Sequence, residues 1–409
     1  MKALAGAAAL VVIGTAASTA AAKPRSPVLG VLQQAHGGVV VQRYDRATLR
    51  PYGAKVRLPA PVWTWSRSPG GTTIGLLGGG QRTTVALLDA VSLRRIAMRR
   101  LERVGNPFAL RWVAPGRLLL ASASATEVVV SLLDAATLEE LESRRIPGRL
   151  MRAERTRAGI AFLLGPQRGF GISRLGLVDG NLAIRTVPLS RIRSGFAYPP
   201  ENAPGVSGAV LGRLRSPALA VDRFGAKAVV VGLDEPVAEV DVERGTVAYH
   251  VVAARTTALG AKLLRGPDLQ ARFLRSGDVA VTGTINEGVD AATGAPLQTP
   301  FGLAILDTRA WNMRIVDPAV EYVIRAGDWL VATGRSAGIT WFDAVGRRRG
   351  HALGARNVTD TAWTGTTGLV RSWEEQRTWR IDLSTGLVVG AGDLRPPLFL
   401  DAEPRSLWG

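Results

Sequence analysis

Short apolar runs alternate with Gly-, Pro- and Ser-bearing breaks along most of the chain, and many of these runs end on an aspartate. Val62-Trp63-Thr64-Trp65, Thr72 to Leu77, Thr84 to Leu88 and Arg95 to Met98 form one set of four. Phe108 to Val113, Arg117 to Ala121, Glu127 to Leu133 and Leu141 to Ile146 repeat it, and a third copy spans Leu150 to Pro188. Runs this short, bounded by turn residues, predict β-strands. The third run of each set closes on Asp45, Asp89, Asp134 or Asp179, at spacings of 44, 45 and 45 residues. A fixed period of roughly 40–50 residues built from four short strands predicts the blade of a β-propeller.

The phrase recurs with looser spacing at Asp241, Asp307, Asp343 and Asp382. The sequence thus predicts an all-β propeller of four-stranded antiparallel blades, a, b, c and d from innermost to outermost. Eight blades are expected, or seven if one phrase is accidental. Two strands but no innermost one precede Asp45, and the orphan run Pro397-Leu398-Phe399-Leu400 ends the pattern. The C-terminus is therefore expected to supply the missing strand and close the ring.

Three stretches exceed ordinary loop length: Leu189 to Ser216 and Ala253 to Asp268 between strands d and a, and Thr284 to Pro300 between b and c. In an up-and-down blade these connections share one face, so all three are expected over neighbouring blades. Long loops on a rigid scaffold commonly carry function.

Residues 1–22 read as a signal peptide, with Lys2, an Ala-rich apolar stretch and the small-residue site Ala20-Ala21-Ala22; the single propeller domain is expected over 23–409. A secreted, extracytoplasmic protein is expected, and no later run reaches the ~20 apolar residues of a spanning helix. Cysteine is absent, which excludes disulfides and thiolate chemistry. The net charge of +18 is carried overwhelmingly by Arg. A polyanion such as a wall polymer, nucleic acid or acidic glycan would suit that charge. The clustering of Arg94, Arg95, Arg99, Arg100, Arg144, Arg145 and Arg347 to Arg349 in outermost strands instead suits blunting of sheet edges and disfavours nucleic acid.

The long loops supply the candidate binding residues Arg191, Arg193, Phe196, Tyr198, Asn202, Arg213, Arg215, Arg265 and Asn286, and b–c connections add Arg82, Arg168 and Arg377. Arg beside aromatics is the mix that anchors partners. Gly334-Arg335-Ser336-Ala337-Gly338 matches the nucleophile-elbow pattern but is followed by a strand rather than a helix. His36, His250 and His351 lie in separate blades at no metal-ligand spacing, so no metal or cofactor is expected. Trp63, Trp65, Trp112 and Trp363 fall in innermost strands and are expected to pack between blades.

Asp382-Leu383-Ser384-Thr385-Gly386 and the looser phrases at Asp45 and Asp134 resemble the D-x-x-T-G turn of bacterial YVTN and quinoprotein-like propellers. The docking Trp expected past that turn is missing in nearly every blade, and no adjacent cysteine pair supports quinone-dependent dehydrogenase activity. The WD-repeat pairing is also absent. The resulting expectation is an exported non-enzymatic propeller that binds a partner protein or anionic surface polymer through its long-loop face. The alternative is a hydrolase, lyase or quinoprotein-like enzyme acting in the central channel on a carbohydrate or lactone, drawing on Arg111, Glu154, Arg155, Asp222, Arg325 or Asp360.

Overall fold

Each aspartate phrase closes strand c and makes a turn whose hydrogen bonds are local. Asp134 Oδ1 accepts the N–H groups of Ala136 and Thr137, both at 2.8 Å, and Asp307 Oδ1 those of Arg309 (2.8 Å) and Ala310 (2.9 Å). The same cap forms at Asp45, Asp89, Asp179, Asp241, Asp343 and Asp382. A short carboxylate one residue before a turn satisfies donors that no ladder reaches, which is why the phrase recurs.

The computed structural model describes all residues except 1–26, 35–37, 80–81, 103–104, 157–158, 198–212, 223, 234, 253–266, 290–295, 334–337, 355, 373 and 401–409. The expected signal segment, His36 and the Gly334–Ala337 part of the elbow-like motif thus lie outside the described residues. Among the described residues there is no helix, so none is long and apolar enough to cross a membrane.

Eight antiparallel sheets form the eight blades of a β-propeller. Blade 1 runs a to d as Leu398–Phe399, Pro27–Gln33, Val39–Asp45 and Pro51–Leu58. Blade 2 comprises Val62–Arg67, Thr73–Gly79, Thr83–Asp89 and Arg95–Leu101; blade 3 comprises Asn106–Ala114, Arg117–Ala123, Glu127–Asp134 and Glu140–Pro147. Blade 4 comprises Arg149–Arg155, Gly159–Gly165, Gly169–Asp179 and Ile184–Ala197, with a fifth strand, Arg213–Arg215. Blade 5 is Ala218–Val221, Lys227–Val231, Val237–Asp241 and Thr246–His250. Blade 6 is Pro267–Phe273, Val279–Val289, Leu303–Asp307 and Asn312–Asp317, and Pro296–Pro300 pairs with its long strand b. Tyr322–Ala326, Trp329–Thr333, Ile339–Phe342 and Arg348–Ala352 make blade 7; Val358–Thr364, Thr367–Ser372, Arg377–Asp382 and Leu387–Gly392 make blade 8.

Strands b and c are buried on both faces because each blade packs between two others. This is why they read as unbroken apolar runs rather than alternating ones. Strand d is exposed, as in Glu140–Pro147, and carries the arginines expected at an outer edge. Ring closure follows the sequence reading: Leu398 and Phe399 pair with Val31 and Gly30, Leu400 N–H donates to Leu29 O at 2.8 Å, and Phe399 meets the Tyr44 ring edge-on at 5.5 Å.

The blades interlock through the residue four places past the aspartate. Leu49, Leu93 and Leu138, and Leu182 one place earlier, adopt left-handed backbone at φ 55°, 61°, 60° and 59°. All four are buried in clusters shared with the preceding blade. Non-glycine residues rarely adopt this conformation; burying a leucine side chain, at about 1.5–3 kcal/mol, outweighs the strain. Leucine thus takes the place of the missing docking Trp, and in blade 6 Trp311 fills the same position at φ 52°. Arginine adds a second lock: Arg43, Arg185 and Arg380 donate to the carbonyls of Val91, Glu243 and Ala47, each two residues past the aspartate of the next blade. The pair Arg380–Ala47 crosses the ring closure.

Two expectations need correction. Leu189 to Ala197 is strand rather than loop, because it continues strand d and pairs with an equally lengthened strand c, Phe196 opposite Gly169 and Arg193 opposite Ile172. Likewise part of 284–300 is a hairpin, Thr284 to Val289 against Pro296 to Pro300. Trp63 does not pack between blades. It is 45% exposed, extruded by a bulge that leaves Val62 opposite Gly78 and Thr64 opposite Leu77. Trp65 is buried as expected.

Candidate binding face

The lengthened strands of blade 4 form a ribbon beyond the body of the blade. Arg213 to Arg215 adds a third strand, with Arg215 opposite Gly195 and Leu214 opposite Phe196. Residues directly opposite in an antiparallel ladder share a face. Phe170, Gly195 and Arg215 therefore lie on one side, with Ile172 and Arg193 beside them. Phe170 and Ile172 are 45% and 54% exposed, an apolar pair presented next to cations.

The other side of the ribbon is held to the ring. The Arg149 guanidinium stands 4.3 Å over the Phe196 ring, and buried Ser173 and Ser194 are joined at 2.8 Å. Near the base, Ser190 Oγ lies 3.3 Å from Tyr249 Oη, and the Arg191 guanidinium sits 5.4 Å over that tyrosine ring.

Glu235, in the b–c connection of blade 5, anchors two ribbon strands. Its oxygens accept the Arg193 N–H at 3.1 and 3.2 Å, and Arg215 donates to it at 2.8 Å and to Leu233 O at 2.9 Å. Burial pushes the Glu235 carboxyl up from the ordinary range, while Arg215 and the Arg193 backbone pull it back. A second knot lies toward the axis. Buried Arg152 in strand a of blade 4 donates to Leu269 O at 2.9 Å, to Met151 O at 2.7 Å and to the Asp268 carboxylate. Leu269 N–H in turn donates to Ser216 O at 3.0 Å. The described ends of the first two insertions are thus joined across blade 5.

Of the residues expected to bind, Arg191, Arg193, Phe196 and Arg215 come together at this ribbon. Arg213 lies in its third strand, and Asn286 in the hairpin of blade 6. Tyr198, Asn202 and Arg265 lie outside the described residues. Arg168 is exposed in the b–c turn of blade 4, next to ribbon residue Gly169, whereas Arg82 and Arg377 are exposed in other blades; Arg82 is 3.6 Å from Glu102, and Arg377 lies 5.8 Å from the Trp379 ring centre. Sequence reasoning missed Phe170, Ile172 and Glu235. The alternation Gly169-Phe170-Gly171-Ile172 was the available signal for the first two, since period-2 patterning marks a half-exposed strand. Glu235 carried no signal as a lone carboxylate in a turn.

Four of the charges considered for channel chemistry hydrogen-bond to the backbone of the frame. Arg111 donates to the carbonyls of Thr156 and Gly159, and Arg155 to those of Trp65 (2.9 Å) and Leu110 (3.3 Å). Asp222 caps its own turn through Ala226 N–H at 2.8 Å, and Arg325 donates to Gly327 O at 2.8 Å. Glu154 is buried and Asp360 exposed. Among the described residues no group of three or more His, Asp or Glu is placed to hold a metal ion.

No protein-family model and no curated protein matches the sequence. Solved structures match it in fold. The dihydro-heme d1 dehydrogenase NirN, in complex with DHE, aligns over 93% of this chain and 74% of its own, with a TM-score of 0.56 and 12% identity. AztD from Citrobacter koseri aligns over 91% of this chain and 95% of its own, with a TM-score of 0.51 and 10% identity. At these identities the likeness is one of fold: this chain is an eight-bladed β-propeller.

Proposed function

We propose that the protein is an exported, non-enzymatic propeller that binds a partner protein through the ribbon of blade 4 and the insertions beside it. The observation that carries this reading is the exposed pair Phe170 and Ile172 next to Arg193, on strands longer than their blade requires. Apolar and aromatic anchors flanked by arginine are the groups that dominate protein interfaces. A flexible loop carrying them would lose conformational entropy on binding, whereas a paired ribbon already held by Glu235 and Arg149 has lost most of it. Export rests on the composition of residues 1–22.

The test is a pull-down from the envelope fraction of the source cells, using the mature protein and its Phe170→Ser/Ile172→Ser variant. Recovery of a discrete partner by the parent and at least about tenfold less by the variant is expected from the loss of two anchors at roughly 1 kcal/mol or more each. Equal recovery by both overturns the reading. Binding that survives the double substitution but disappears with salt indicates a polyanionic polymer instead.

A further inference from the structure

The outermost strand of a blade ends its sheet, so its free edge offers unpaired backbone N–H and C=O groups to any other strand. Charge on that strand protects the edge, and six blades carry a cation there: Lys55, Arg99, Arg144, Arg191, Arg314 and Arg349 in blades 1, 2, 3, 4, 6 and 7. In blade 5 the short outermost strand ends on His250, joined to Glu239 at 2.8 Å. Blade 8 departs from the rest. Leu387-Val388-Val389-Gly390-Ala391-Gly392 holds no charged or hydrogen-bonding side chain, and Leu387, Val388 and Val389 are 52%, 37% and 41% exposed. The strand pairs inward with strand c, Leu387 opposite Asp382 and Gly390 opposite Trp379. Among the described residues no strand lies on its other edge. An apolar edge left open in this way is a template for one more strand.

We propose that this edge pairs with the same strand of a second copy of the chain, antiparallel about a two-fold axis, joining two blades into one continuous sheet. Two observations select a copy as the occupant. The first is that the strand is self-complementary. With the axis between Val388 and Val389, each Val388 stands opposite Val389 of the other copy, and each Leu387 opposite Gly390. A pair of β-branched residues is a favourable cross-strand pair. Gly390 leaves room for the leucine, since the nearest atom to where its Cβ would stand is Arg377 Nη2, at 3.6 Å. The second is charge. The chain carries +18, so two copies repel, and meeting through an arginine-bearing edge would set cation against cation. The edge of blade 8 is free of that opposition. A single strand pair is a small interface, so the dimer is weak and forms at about 10–100 µM. It lies half a ring away from the ribbon of blade 4 and does not rest on the function proposed for that ribbon.

Sedimentation velocity of the mature protein over about 5–200 µM is the test, a range that brackets the expected dissociation constant. A monomer–dimer equilibrium is expected, and added salt should tighten it by screening the repulsion between two cationic copies. Val388→Lys/Val389→Lys sets like charges opposite each other at both central positions, and is expected to weaken the dimer at least about tenfold. Val388→Lys/Val389→Glu sets opposite charges face to face in the same register, and should dimerise within about threefold of the parent. Both positions are exposed, so each variant should melt within a few degrees of the parent. A parent that stays monomeric throughout, or that assembles beyond the dimer, overturns the proposal. So does a dimer unchanged by Val388→Lys/Val389→Lys, or one that Val388→Lys/Val389→Glu weakens equally.

Discussion

Glu235 in blade 5 receives the backbone N–H of Arg193 on both oxygens while pairing with Arg215 at 2.8 Å. One carboxylate of a neighbouring blade thus fixes two strands of the ribbon. Glu235→Ala leaves the half-buried Arg215 without its partner and is expected to cost about 1–3 kcal/mol in denaturant unfolding. It should also speed amide exchange over Arg193 to Phe196. Unchanged exchange there would mean the ribbon is held by other contacts.

The same group gives a pH dependence of defined sign. Burial raises the folded-state pKa of Glu235. The part of its contribution that this shift carries is complete below the unfolded value near 4.5 and is lost as pH rises through the higher folded value, while its hydrogen bonds to Arg193 and Arg215 persist. The turn aspartates act oppositely. The Ser384 hydroxyl lowers Asp382, and backbone N–H groups of Ser92, Thr137 and Ala310 lower Asp89, Asp134 and Asp307. Their stabilisation is present above the unfolded value near 3.8 and is lost as pH falls through the lower folded values. The melting temperature should therefore fall steeply below about pH 4. Asp382→Asn, which keeps the acceptor, should flatten part of that fall. Asp382→Ala should cost about 1 kcal/mol at neutral pH as a lost turn cap.

Leu93 tests the interlocking. Its side chain is buried in strained backbone at φ 61°. Leu93→Ala keeps the strain and loses the burial, so about 2–5 kcal/mol is expected. Leu93→Gly relieves the backbone while losing the same side chain, and should be no less stable than Leu93→Ala despite being smaller. The reverse order in thermal unfolding would contradict the docking role.

Phe399 tests closure. Its ring is buried against Tyr44, in a strand of two residues. Phe399→Ala is expected to cost about 3 kcal/mol. Truncation after residue 396 should expose the edge of strand b in blade 1 and promote self-association, read by light scattering.

The blades were legible because their signals are local. An aspartate that caps a turn three residues long writes itself at every repeat, from Asp45 to Asp382, and the orphan run Pro397 to Leu400 announced its missing partner. The site was legible only in composition. Arg191, Arg193, Phe196 and Arg215 were found as an Arg and aromatic mix. That they form a paired ribbon depends on residues 21 and 25 apart, Ile172 with Arg193 and Phe170 with Gly195, and such pairing has no short-range mark. Trp63 is exposed because of a one-residue bulge that leaves the surrounding pattern unchanged.

The ribbon's role is measured most directly by hydrogen–deuterium exchange on the mature protein with and without the partner fraction it captures. The account predicts protection concentrated at Gly169 to Ile172 and Arg193 to Phe196, with the a–b and c–d turns unchanged. Protection confined to those turns or to the innermost strands, with the ribbon exchanging as in the free protein, would contradict it.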